Sequence, residues 1–190
     1  NELNDNSNLK ILNVDLNYTN PFNVEKKSAS SFINKSLNLG HKLALNKQSV
    51  LGLINCPISK NLLPKGFIGA TEYFAHKCKM KKNSEVMLIK NNALSVSPVT
   101  THLDIKKISQ NINKLAIINK VKQINSWFKK VYKVKPRIAV LGLNPHNSEL
   151  KKNSEEKKII IPALRILKKL GIKVSGPLIA DTIFINDYKN

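Results

Sequence analysis

Two histidines stand where chemistry is most easily built. His102 lies in Thr100-Thr-His-Leu-Asp104 and His146 ends Asn144-Pro-His146, and each follows an apolar run that reads as a β-strand. Imidazole carries protons near neutral pH and ligates divalent metals. Two imidazoles at the carboxyl ends of strands would face one cleft and supply part of a cation's coordination shell. Two ligands fall short of the three or four that zinc takes, and no H-E-x-x-H pattern sets them on one helix. Spacing alone therefore favours the plainer reading, two unrelated loop histidines. His41, inside a helical pattern, and His76, in a basic stretch, read as surface residues. Cys56, ahead of Pro57, reads as a small buried residue rather than a reactive thiol.

The strands and helices that must position these residues are readable from hydrophobic spacing. A strand is expected at Leu9 to Leu16, then a helix capped by Ser28 and running to about Leu45. Val50 to Ile54 is a short apolar run of the kind found in buried parallel strands, and it opens into Asn55-Cys-Pro-Ile-Ser-Lys60. Glu85 to Ile89 and Leu94 to Thr100 read as two strands turning at Asn91-Asn92, with Pro98 marking an edge or bulge. One long helix is expected from Asp104 or Ser109, carrying Ile108, Ile112, Leu115, Ile118, Val121, Ile124, Phe128 and Val131 on one face. Trp127 is expected in the same interface, and Lys135-Pro136 closes the helix. Arg137 to Leu143 reads as a strand, Glu155 to Leu170 as a helix ended by Gly171, and Ile179 to Ile185 as a last strand after a Gly176-Pro177 turn. Alternating strands and helices predict α/β layers around a mostly parallel sheet.

Composition excludes several classes. A chain of 190 residues that is 42% hydrophobic suits a globular unit, and two cysteines cannot frame a disulfide scaffold. No stretch approaches the ~20 apolar residues of a membrane span, and the polar start at Asn1 is not a signal peptide. The missing initiator Met suggests processing, or a chain cut from a longer one. The net charge of +20 points first to a polyanion. Yet all but two of the 32 basic residues, Arg137 and Arg165, are lysine, and they are scattered. Nucleic-acid readers lean on Arg and stacking aromatics, and aromatics are only 6% here. Lys, Asn and Ile share A/T-rich codons, so nucleotide bias explains the excess better than a nucleic-acid partner. No G-x-G-x-x-G, P-loop or G-x-S-x-G is present, and Gly66-Phe-Ile-Gly69 reads as a turn.

One ordered set of motifs is more specific. Gly52-Leu-Ile-Asn-Cys-Pro-Ile-Ser-Lys60, Gly69-Ala-Thr-Glu72, Val99-Thr-Thr-His-Leu103, Gly142-Leu-Asn-Pro-His146 and Gly176-Pro-Leu-Ile-Ala-Asp-Thr-Ile-Phe184 follow one another along the chain. In content and order they resemble the 4-hydroxythreonine-4-phosphate dehydrogenase (PdxA) family of pyridoxal-phosphate biosynthesis. The likeness covers residues 50–184 well and the first fifty loosely. It implies an isocitrate/isopropylmalate dehydrogenase-like fold, two α/β domains around a cleft, incomplete here at both ends.

The resemblance makes His102 and His146 metal ligands and Thr71 a substrate-binding residue; Lys60 and Asp181 fall in family motifs without an assigned role. It implies oxidation of 4-phosphooxy-L-threonine with NAD or NADP and a divalent metal (Zn, Mg, Co or Mn), followed by loss of CO2, in a cytoplasmic homodimer. Related dehydrogenases acting on 4-phospho-threonate or -erythronate are the alternative. Ala70 stands where the family usually carries His, which removes a phosphate or carboxylate contact or leaves it to a neighbouring lysine. Asn147 to Lys152 replaces a glycine-rich stretch, and Ser59 replaces a frequent His or Asn. Family members continue into a segment with a third metal-binding histidine, so the piece alone is expected to be inactive.

Overall fold

The computed structural model describes residues 10–46, 50–80, 84–144 and 152–184. They divide into two units, Asn1–Lys82 and Asn83–Asn190. His146 lies outside the described residues.

In the first unit, helix α1 (Lys26–Ala44) begins after Glu25, whose carboxylate accepts a hydrogen bond from Ser28 Oγ at 3.4 Å. The helix thus starts ahead of the expected cap and ends where expected. A single 3-10 turn at Lys60–Leu62 follows, then α2 (Ala70–Lys77). Leu37, Leu63 and Tyr73 are buried together, with Ile33, Ile58, Phe67 and Phe74 packed around them. The Tyr73 hydroxyl lies 3.0 Å from both Asn34 Oδ1 and Asn38 Oδ1 and donates its one hydrogen to them, which ties α2 to α1. Burial pushes the Tyr73 phenol up from its ordinary range.

Two expected strands of this unit do not form. Residues 10–16 and Val50 to Ile54 carry no ladder, and Leu51 and Ile54 are fully exposed. An apolar run becomes a strand only when another backbone pairs with it, and no described segment of this unit does. Cys56, expected buried, is exposed for the same reason.

The second unit opens with a hairpin, β1 (Ile89–Lys90) against β2 (Ser95–Val96), antiparallel and far shorter than the two expected strands. Its turn is the expected one, with Asn91 Oδ1 accepting from Ala93 N at 2.9 Å and Leu94 N at 2.7 Å. The single long helix of the sequence reading is two: α3 (Ile105–Asn111) and α4 (Lys114–Val131). Asn113 breaks it, because its Oδ1 accepts from Ala116 N at 2.9 Å and restarts the helix as an N-cap. That restart shifts the buried face to Ile117, Ile118, Val121 and Asn125 and leaves Leu115 and Val131 exposed. Trp127 is likewise exposed, stacked edge-on with Phe128 and Tyr132 rather than buried in the core. α4 ends at Tyr132, before Lys135-Pro136.

Strand β3 (Ile138–Leu141) and β4 (Val174–Leu178) then form a parallel pair bridged by α5 (Ile161–Lys169), a βαβ unit. Pairing runs Ile138↔Val174 and Ala139↔Ser175, then slips to Leu141↔Leu178. The extra residue falls at Gly176-Pro177. Pro177 has no N–H for the ladder, and Gly176 holds φ 122° with a Cβ at that site running into the Val140 carbonyl. The last strand therefore contains the Gly-Pro pair instead of following it, and Ile179 to Phe184 is turn rather than strand. The mostly parallel sheet is correspondingly reduced, among the described residues, to this pair and the hairpin.

The predicted helix from Glu155 carries one π turn, Glu156–Ile160, ahead of α5. Pro162 lacks the N–H that an α-helix would return to Lys158, and the widened turn absorbs the loss. Gly171, φ 72°, ends α5 as predicted: Gly171 N donates to Lys168 O at 2.9 Å and Ile172 N to Leu167 O at 3.1 Å. Leu164 and Leu167 of α5, Ile117 and Val121 of α4, and Val140 and Val174 of the strands share one core.

Candidate functional site

The carboxyl end of a parallel strand is where α/β folds gather ligands. In the second unit that edge is Gly142-Leu143-Asn144, just past β3, and Gly142 N is held there by Leu178 O at 2.8 Å. Glu156 reaches across to it. Its Oε1 accepts from Leu143 N at 3.0 Å and from Asn144 N at 3.1 Å, and the residue is 1% exposed. Burial alone would raise its carboxyl pKa; hydrogen bonds from the Asn144 backbone, Ser154 and the Leu143 backbone outweigh that and hold it below the ordinary range.

Sequence reasoning passed over Glu156, although a signal was present. It lies on the phase of the buried stripe Ile160, Ala163, Leu164 and Leu167, where a charge has no reason to be unless something meets it.

His102 sits in the loop between β2 and α3, exposed, with φ 57°. Val99 before it and Ile108 after it pack against the core, so both ends of the loop are anchored. Left-handed backbone at a non-glycine residue stores a little strain and is enriched at functional positions. Asp104, two residues on, pairs with Lys107 at 3.5 Å.

Thr71 belongs to the first unit, exposed in the first turn of α2 behind Gly69, which offers no side-chain cap. Helix amides at such an end favour an anion. Glu72 in the same turn leaves one buried carboxylate oxygen without a hydrogen-bond partner among the described residues. Ala70 is the helix's first residue, and Lys60 and Asp181 are exposed.

Thr71 lies in the first unit and His102 in the second, and His146 falls outside the described residues. No three His, Cys, Asp or Glu side chains among the described residues converge as a metal cage. His102 is open to solvent. His41 Nε2 lies 3.6 Å from Cys78 Sγ and the ring stacks on Phe74, while His76 meets Phe67 edge-on. Lys120, half-buried, donates to Glu85 O at 2.7 Å; burial lowers its pKa and Glu85 opposes the shift. No described helix is long and apolar enough to cross a membrane.

Three solved structures similar to this chain carry dehydrogenase names. One from Klebsiella pneumoniae, 4-hydroxythreonine-4-phosphate dehydrogenase, superposes with TM-score 0.77 at 25% identity, covering 86% of this chain and 50% of its own. A second, from Burkholderia phymatum and of the same name, gives TM-score 0.65 at 28% identity over 86% of this chain and 49% of that one. A terephthalate 1,2-cis-dihydrodiol dehydrogenase from Burkholderia xenovorans, 20% identical with TM-score 0.62, shares the fold. Among curated sequences, 4-hydroxythreonine-4-phosphate dehydrogenase of Sulfurihydrogenibium sp. is 41% identical over 143 residues, 73% of this chain and 44% of that protein. The Aquifex aeolicus enzyme of that name is 37% identical over 142 residues, again 73% and 44%. The model of the family described as pyridoxal phosphate biosynthetic protein PdxA matches residues 1–190, and the chain belongs to that family. It spans less than half the length of the curated relatives it matches.

Proposed function

We propose that the enzyme to which this chain contributes oxidises the secondary alcohol of 4-phosphooxy-L-threonine with NAD or NADP. The product, 2-amino-3-oxo-4-phosphooxybutanoate, loses CO2 to give 3-amino-2-oxopropyl phosphate for pyridoxine 5′-phosphate synthesis. The observation that carries this reading is the match of the PdxA family over all 190 residues. The motif residues Thr71, His102 and His146 stand in the chain to serve it.

His102 and His146 would hold a divalent cation, Zn, Co or Mn by donor type, or Mg if oxygen ligands join them. The chemistry supplied at that site would be polarisation of the alcohol oxygen by the cation and acceptance of the hydride by the nicotinamide. The chain's own residues position. Thr71, at the amide end of α2, offers a hydroxyl to the anionic part of the substrate. Val99 and Ile108 anchor the loop that carries His102. The reading includes a cytoplasmic homodimer with the isocitrate/isopropylmalate dehydrogenase-like layering, two domains around a cleft.

Ala70 favours a second reading within the same chemistry. A methyl stands at the start of α2 where the family carries an imidazole, so a 4-phospho-threonate or -erythronate, lacking the substrate's ammonium or one of its contacts, fits as an alternative. The test is nicotinamide reduction by the full-length enzyme on each substrate, with a chelator arm and His102→Ala. The expected result is turnover of 4-phosphooxy-L-threonine that stops with chelator and falls at least ~100-fold in His102→Ala. Turnover of only the threonate or erythronate would transfer the assignment to the second reading. Undiminished activity of His102→Ala would overturn the metal role.

A further inference from the structure

We propose that the end of α4 and the turn after it form a binding surface for single-stranded nucleic acid, with Trp127 as its stacking ring and the surrounding lysines as its phosphate contacts. The surface lies wholly in the second unit and uses no residue of the dehydrogenase reading.

Trp127, expected in the core, is 40% exposed, and Tyr132 beside it is 45% exposed. Trp127 meets Phe128 with ring centroids 5.2 Å apart and Tyr132 with centroids 5.3 Å apart, at interplanar angles of 87° and 76°. Edge-on packing of this kind holds rings in place while leaving aromatic surface in water. Exposed Val131 and Val134 extend the patch. Lys133, with φ 58°, turns the chain directly after Tyr132. A contiguous apolar patch rimmed by polar residues is the mark of an interaction surface.

Charge selects the kind of partner. Between Asp104 and Glu149 the sequence holds ten basic residues and no acidic one. Five of the ten, Lys129, Lys130, Lys133, Lys135 and Arg137, follow Phe128 within nine residues, and all five are exposed. The fold adds Lys90 from β1, whose Nζ lies 5.0 Å from the centre of the Tyr132 ring. Nucleotide bias spreads lysine along a chain; it does not gather lysines around exposed aromatic rings. The carbonyl end of α4 is the negative pole of the helix, and Lys129 and Lys130 in its last turn offset it. A second copy of the chain would bring the same cations to the same rings and is repelled.

Stacking separates the polyanions. An acidic protein segment satisfies the lysines and gives the rings no special partner. A duplex keeps its bases stacked on one another. A single strand carries flat, unpaired bases between phosphates, so one partner meets both halves of the surface. Because lysine is a point charge without the guanidinium fork, the expected binding is tolerant of sequence.

The test titrates a fluorescently labelled oligo(dT) of about 12 nucleotides with the full-length enzyme and follows anisotropy at several salt concentrations. The variants are Trp127→Ala, Trp127→Phe and the triple change Lys130→Gln, Lys133→Gln, Lys135→Gln, each checked by its denaturation midpoint. Poly-glutamate and phosphatidylserine vesicles serve as the other polyanions. We expect a Kd of about 10⁻⁶ to 10⁻⁴ M near physiological salt, with a log–log salt slope of about −2 to −3.5. Trp127→Ala should weaken binding about 10- to 100-fold with the slope unchanged, and Trp127→Phe should keep most of the affinity. The lysine triple should reduce the slope by about 2. It touches no packed ring, so it tests the surface even where Trp127→Ala unfolds. No binding of oligo(dT) at about 50 mM salt overturns the proposal. So does a folded Trp127→Ala that binds as well as wild type, or a lysine triple that leaves the slope unchanged. Poly-glutamate or vesicles bound more tightly than oligo(dT), and weakened as much by Trp127→Ala, would assign the surface to an acidic protein or a membrane instead and overturn the nucleic-acid reading.

Discussion

Two apolar runs in this chain lead into motifs of the same family, and they meet different fates. Ile138–Leu141 pairs with Val174–Leu178, is covered by α5 and α4, and places Val140 in the core. Val50 to Ile54, with as many aliphatic side chains, pairs with nothing described in its unit and leaves Leu51 and Ile54 in water. The first run has its partner 33 residues later on the other side of a helix, the standard βαβ return. The second has helices on either side of it in sequence and no returning strand among the described residues of its unit. A strand is a property of two segments, and the run alone supplies only one of them.

The same contrast divides the cores. In the second unit, helix and strand side chains interlock around Leu167, which is fully buried. In the first, three buried residues hold two helices together, one of them a tyrosine whose hydroxyl is as important as its ring. Truncating Leu167 to Ala is expected to cost about 4 kcal/mol, because a close-packed layer cannot collapse around the missing atoms. Chemical denaturation of the 190-residue chain, followed by Trp127 fluorescence, reads this directly since Trp127 lies in the same unit. A loss under 1 kcal/mol would mean that the βαβ layer is loosely packed and that the contrast between the units is smaller than their burial implies.

What the sequence revealed and what it hid follow from this difference in kind. Local signals were legible: Asn91-Asn92 turned the hairpin, Gly171 closed α5, and the βαβ unit announced itself in the run before Asn144. Signals that depend on a distant partner were not. Val50 to Ile54 looked like β3 because periodicity reports a side chain's face and not its neighbour. The long helix failed at Asn113, a residue that in isolation is merely a weak helix former but whose side chain caps the restart, and that phase change moved Trp127 out of the core. At the candidate site, His102 and His146 stood out by their place after apolar runs, and their roles, like that of Thr71, came from motif resemblance, which carries no geometry. Glu156 was found by the structure, since a charge on an apolar stripe becomes meaningful only once the two amides opposite it are seen.

A middle-sized effect separates the two kinds of core. Tyr73→Phe keeps the ring against Phe67, 5.3 Å between centroids, and removes only the hydroxyl. The expected cost is about 1 kcal/mol, one net hydrogen bond with partners that still reach water. Circular dichroism of helix melting measures it. A loss of ~3 kcal/mol would show that the link to Asn34 and Asn38 is the chief tie between α1 and α2, while no loss would leave the ring alone to hold them.

The smallest expected change tests the opening contrast most directly. Ile54→Lys places a charge in the middle of an apolar run, and in a strand buried on both faces it would cost several kcal/mol. Because Ile54 is fully exposed here, the expected change in the denaturation midpoint of the 190-residue chain is within about 0.5 kcal/mol. Val140→Lys, in the run that does pair, is the matched control and should abolish cooperative folding of its unit. Should Ile54→Lys destabilise the chain by more than about 2 kcal/mol, the run is buried in solution after all. The difference between the two runs would then lie in how their partners are supplied, not in whether they have them.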